Sequence, residues 1–130
     1  MDKKVVSLLK NLRAYALKKK INLVASYHEE DSYLMRFANA AISLNTNEHL
    51  ARLELKAYDG RKKASYEMIV DPLDVKAIRA GIDKAAEMVK QAAPLNYDPT
   101  FPVFKQDVVD ERSYDRRMAR LTNAERLAYF

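Results

Sequence analysis

The 130-residue chain contains no cysteine. Disulfides, cysteine-based zinc sites and a cysteine nucleophile are therefore excluded, and the composition fits a reducing compartment. There are only two glycines, Gly60 and Gly81, too few for a glycine-rich phosphate loop. No apolar run approaches the roughly 18 residues that a membrane-spanning helix needs. The opening MDKKVVSLLKNLRAY is charged and amphipathic, without the apolar stretch and small-residue cleavage site of a signal peptide. A cytoplasmic protein with no membrane partner is the expectation. Low-complexity segments and internal repeats are also missing.

What remains is an ordinary globular composition, 48% hydrophobic and 32% charged. A chain of this length can bury a sizeable core without covalent staples. The net charge is +5, but it is unevenly placed. Residues 1–20 hold seven basic side chains (Lys3, Lys4, Lys10, Arg13, Lys18, Lys19, Lys20) against Asp2, while the other 110 residues hold 16 basic and 17 acidic ones. Lys18, Lys19 and Lys20 are thus a candidate surface for nucleic acid or an acidic partner. A solvated helix face is the commoner source of such an excess.

Hydrophobic spacing predicts an α+β domain. Val5, Leu8, Leu9, Leu12, Tyr15 and Ala16 recur at helical intervals over residues 3–19. From Leu23 to Val70 the runs LVASYHEE, SYLMRFANAAISLNTN, LARLELKAY and KKASYEMIV predict four strands in an antiparallel meander. In the third run, Leu53, Leu55 and Ala57 alternate with Arg52, Glu54, Lys56 and Tyr58, the pattern of a half-buried strand. Asp59-Gly60 is a strong hairpin signal, and Glu30-Asp31-Ser32 and Asn45-Thr46-Asn47 are the other expected turns. A second helix is expected to open at Asp71-Pro72, with Asp71 as its cap, and to pack on one sheet face through Val75, Ile78, Ile82, Ala85, Ala86 and Val89. Residues 1–94 form the expected core. Residues 95–130 are a proline-rich connector followed by a helical tail, in which Thr122-Asn123-Ala124-Glu125 matches a capping box. A helix that opens at 123 and stops about two turns later reads as the front piece of a longer protein.

The candidates for chemistry are sparse. His28-Glu29-Glu30 shares its first letters with a zinc-peptidase helix motif, but Ser32 stands where the second histidine belongs. His28 and His49 meeting across a sheet is geometrically open. No serine sits on a glycine-flanked elbow, and the paired carboxylates Glu29/Glu30 and Asp110/Glu111 are ordinary surface features. Tyr58 and Tyr66, near Arg61, Lys62 and Lys63, suggest either a base-stacking platform or, more commonly, tyrosines packed with lysine stems.

The segment SYHEEDSYLMRFANAAISLNTNEHLARLELKAYDGRKKASYE, followed by a helix with KAAEMVKQA and then PLNYDPTFP, resembles the N-terminal domain of the TldD/PmbA family. The family is described as modulators of DNA gyrase and viewed as metallopeptidases. The step Arg36-Phe37-Ala38-Asn39, then Ile42, Ser43 and Asn45-Thr46-Asn47, carries most of the likeness, which spans about residues 5–130. The family's HExxxH helix and zinc ligands lie beyond this region, and no HExxxH occurs here. The resemblance therefore implies a non-catalytic front domain that walls a chamber admitting unfolded peptide and sits near a subunit interface. It implies no catalytic or metal residue in this chain, with zinc only in a downstream domain. The partners implied are the remainder of such a protein or a paired subunit. Arg36, Asn39 and Asn45 match the family pattern without an assigned role.

Overall fold

The computed structural model describes residues 3–71, 73–101 and 115–129, and the chain divides into two compact units, Met1–Thr100 and Phe101–Phe130. The first unit is α+β, in the order helix α1 (Lys3–Lys18), strands β1 (Asn22–Ala38), β2 (Ala41–Asp59) and β3 (Lys62–Ile69), and helix α2 (Val75–Gln91). The strands form one antiparallel sheet in the order β1-β2-β3.

Burial explains the register. Along β2, Ala51, Leu53, Leu55 and Ala57 are buried, and the residues between them are only half-covered. Both helices lie on that face. Leu8 and Leu12 of α1, with Ile78, Ile82, Ala85 and Val89 of α2, join Leu53, Leu55 and Ala57 in one core. A one-residue slip would put Arg52 and Glu54 into that core, so the two-residue period sets the pairing. Gly81 marks the closest approach of α2 to the sheet. A Cβ there would stand 2.7 Å from Met68 Sδ and 3.2 Å from Leu55 Cδ1.

Three described strands replace the four expected from the sequence. Glu30-Asp31-Ser32 and Asn45-Thr46-Asn47 are not turns; they lie inside β1 and β2, where Asp31 pairs with His49 and Tyr33 with Asn47. Turn-forming residues are tolerated there because both faces of that stretch are wet, and Glu30, Asp31 and Ser32 have polar side-chain partners within the sheet. The reversal falls instead at Asn39-Ala40, between the paired residues Ala38 and Ala41. Both central residues have positive φ, 52° and 58°, as a type I′ hairpin turn requires. Asn tolerates this conformation; Ala does not, at roughly 1–2 kcal/mol. The second hairpin turns on Gly60-Arg61, with Gly60 at φ 55° and Asp59 paired with Lys62.

Helix ends also follow local chemistry. Lys20 (φ 57°) ends α1, with Lys20 N–H bonded to Leu17 O at 3.1 Å and Ile21 N–H to Ala16 O at 2.9 Å, the Schellman arrangement. α2 is capped by Asp74, whose carboxylate accepts from Ala77 N at 2.9 Å. Asp71, the expected cap, instead accepts from Leu73 N in a preceding turn, and Pro72 lies outside the described residues.

In the second unit, α3 (Arg116–Ala119) is capped by Asp115 and α4 (Asn123–Leu127) by Thr122. The expected capping box is present: Glu125 N donates to Thr122 Oγ1 at 3.2 Å and Thr122 N to Glu125 Oε2 at 2.8 Å. The end of the expected connector and the start of the expected tail, residues 102–114, lie outside the described residues.

Two substitutions test this account. Ala40→Gly should relieve the strained turn and stabilise the hairpin by roughly 0.5–1 kcal/mol, read as slower amide exchange on either side of residue 40. Gly81→Val should overpack the helix–sheet contact and lower stability by about 1–3 kcal/mol in urea unfolding.

Candidate functional site

β3 pairs only with Arg52–Asp59, although β1 and β2 continue well beyond it. At Val70, whose N–H bonds Ala51 O at 2.9 Å, the third strand leaves the sheet for α2. Past this point the sheet narrows to a two-stranded arm, residues 30–38 paired with 41–50. The apolar alternation that attracts the helices stops at Ala51, so nothing in the described first unit covers the arm. Large apolar side chains are exposed on it: Leu34 is 40% exposed, Ile42 44% and Leu44 39%. Near its tip the arm carries a β-bulge, where Ser43 is the extra residue between the pairs Arg36/Leu44 and Phe37/Ile42. Ser43 Oγ donates to Arg36 O at 3.2 Å.

At the base of the arm, each face carries a polar latch. On the helix-side face, Asp31 Oδ1 is 2.7 Å from His49 Nδ1 across the strands, and Glu29 Oε1 is 3.5 Å from His49 Nε2. The hydrogen bond to Asp31, and the charges of Asp31 and Glu29, hold the His49 pKa above its ordinary 6.5. On the opposite face, Glu30 accepts from Arg52 Nη2 at 3.0 Å and from Ser32 Oγ at 3.2 Å, with His28 Nε2 at 2.8 Å. Hydrogen bonds from His28 and Ser32, with the Arg52 charge, lower the Glu30 pKa below 4.5.

The two histidines consequently point to opposite faces and do not meet. Among the described residues no group of three or more His, Cys, Asp or Glu side chains could hold a metal. The arm does gather Arg36, Asn39 and Asn45 at its outer part, but in different roles. Arg36 accepts the bulge bond through its carbonyl, Asn39 supplies the turn, and Asn45 lies in β2 opposite Met35. Tyr58 and Tyr66 also part. Tyr66 pairs with Leu55 on the helix-side face, under Lys84 at 4.6 Å, whereas Tyr58 pairs with Lys63 on the other face. They form no common stacking platform.

The basic segment is broken up as well. Lys19 Nζ binds Asp83 Oδ1 at 2.8 Å, and Tyr15 OH donates to Asp83 Oδ2 at 2.9 Å, tying α1 to α2. The Lys19 bond, with Tyr15, lowers the Asp83 pKa. Lys19 and Lys20 line an open cleft of about 610 Å³ that also holds Asp59, Asp83 and Glu87. Cations and anions alternate there, unlike a nucleic-acid groove, and Lys18 stands outside that lining as the exposed last residue of α1. No described helix is long and apolar enough to cross a membrane.

Sequence reasoning did not find the arm or its latches, because they depend on register. One signal was available: the positive-φ-tolerant Asn39 lies close to the midpoint of the paired residues Asn22 and Tyr58. Comparison of the chain with protein-family models, curated proteins and solved structures finds no match.

The latches have opposite pH limits. His49 has a raised folded-state pKa, so its contribution is complete below about 6.5 and is lost as pH rises through the folded value. Glu30 has a lowered one, so its contribution is complete above about 4.5 and is lost as pH falls through the folded value. Both should hold between these limits. An NMR titration should give a His49 midpoint above 6.5, and Asp31→Asn should move that midpoint down.

Proposed function

We propose that this chain is a non-catalytic N-terminal domain of a TldD/PmbA-like zinc metallopeptidase, working in the cytoplasm. It helps form the chamber that admits unfolded peptide and the surface that meets the rest of that protein or a second subunit. The observation that carries this reading is the two-stranded arm. A ribbon of two strands is marginal on its own, and large apolar side chains left exposed on its faces offer contact area to another polypeptide. Leu34, Ile42 and Leu44 lie on the arm that also carries the residues of the resemblance, Arg36–Asn47.

The residues present do not fit zinc, since the histidines occupy opposite faces and each bonds its own carboxylate. In this reading zinc belongs to a downstream domain, and no step of hydrolysis is assigned to this chain. Its own contribution is binding and orientation.

The test uses fluorescein-labelled α-lactalbumin, reduced and carboxymethylated so that it stays unfolded. Its anisotropy should rise on adding the protein, and native α-lactalbumin should give no change. Ile42→Ser with Leu44→Ser should weaken binding at least tenfold, about 1.4 kcal/mol, and added zinc should bring no hydrolysis. Zinc-dependent cleavage by this chain alone, or no binding to the unfolded protein, rejects the reading.

A further inference from the structure

In an antiparallel sheet the N–H and C=O of one residue point to the same side, and successive residues alternate. The bond from Val70 N–H to Ala51 O places the backbone groups of Ala51 on the β3 side of β2. By alternation, those of Asn45, Asn47 and His49 point the same way, while Leu44, Thr46 and Glu48 bond towards β1. β3 stops at Ile69, opposite Arg52. Among the described residues, no strand pairs with β2 on this side between the bulge at Ser43 and Ala51. The stretch Leu44–Leu50 is thus an open notch, collinear with β3, with backbone donors and acceptors repeating about every 6.8 Å.

We propose that this notch binds an extended polypeptide segment by strand addition, antiparallel to β2 and running in the direction of β3. The inference rests on the reading of the arm as a peptide-handling surface and says where and how the peptide is held. The ladder itself selects extended backbone. The flanking side chains set a preference. Leu44 and Leu50 stand at the two ends of the notch on one face and suit apolar residues. On the other face His49 is backed by two carboxylates, Asp31 and Glu29, at 2.7 and 3.5 Å, so the group keeps a net negative charge even with the imidazole protonated and favours a cation near it. An occupant with alternating apolar and cationic residues satisfies both. Charged edges ordinarily deter pairing, yet the residues whose backbones face the notch are two asparagines and a histidine, which do not repel an incoming strand.

The probe is acetyl-Val-Lys-Val-Thr-Val-Lys-Val-amide, with amide exchange read by NMR on the whole chain. Exchange at Asn45, Asn47 and His49 should slow at least tenfold with peptide. Leu44, Thr46 and Glu48, already bonded to β1, should change little. The same peptide with the backbone nitrogens of both lysines and the threonine methylated lacks the inward donors and should have no effect. Asn47→Pro removes one outward N–H without touching the β1 ladder. It should abolish the effect while leaving Thr46 and Glu48 protected.

Protection without this alternation, or protection on β1 or in the cleft beside Lys19 and Asp83, overturns strand addition but leaves the arm's peptide binding standing. No change at millimolar peptide also overturns it, independently of the α-lactalbumin result. Concentration-dependent protection of Asn45, Asn47 and His49 without peptide would assign the notch to a second copy of this chain and overturn the proposal as well.

Discussion

Leu53 and Leu55, both fully buried between the sheet and the two helices, set the position of nearly everything else in the first unit. Because side chains on a strand alternate, placing these two inward places Arg52, Glu54, Lys56 and Tyr58 outward. The same parity carries along β2 into the arm. It puts His49 and Asp31 on the helix side and Glu30 and His28 on the other. It also directs the backbones of Asn45, Asn47 and His49 towards the side of the strand that no described strand fills. A packing decision near the middle of β2 therefore determines which polar groups meet well beyond the core.

The arm arises from a mismatch of lengths. β1 and β2 have 17 and 19 residues, β3 only 8. The helices cover the part that β3 completes. Among the described residues, the rest has neither a third strand nor an apolar face wide enough to attract a helix. Its order then depends on cross-strand bonds: the His49–Asp31 and Glu30–Arg52 contacts at the base, the Ser43–Arg36 bond at the bulge, and the Asn39-Ala40 turn at the tip. Exposed pairs of this kind are individually weak. This makes the arm the part of the sheet best suited to being remodelled or covered by another polypeptide.

Much of the sheet base and both long helices was legible in the sequence, since burial on one side writes a regular period. Leu53-x-Leu55-x-Ala57 announced its strand, and Ile78, Ile82, Ala85 and Val89 their helix. The capping box at Thr122 was legible because all its partners lie within four residues. The strand count was not. Glu30-Asp31-Ser32 and Asn45-Thr46-Asn47 have turn-forming composition, and pairing partners distant in the chain decide against it. The helix cap moved from Asp71 to Asp74 for a related reason: both aspartates can cap, and the path from β3 selects between them.

The sequence by itself determined the α+β class, the inward faces of the helices and of β2, and the absence of cysteine chemistry, because these follow from residue types and short-range periodicity. Only the tertiary structure decided that the two histidines stand apart, that Lys19 is bound to Asp83, and that the Leu44–Leu50 stretch of β2 has no described partner strand on its β3 side. Those outcomes depend on which residues, distant in the chain, are brought opposite each other. Pairing and register, set by the burial of Leu53 and Leu55, make that choice.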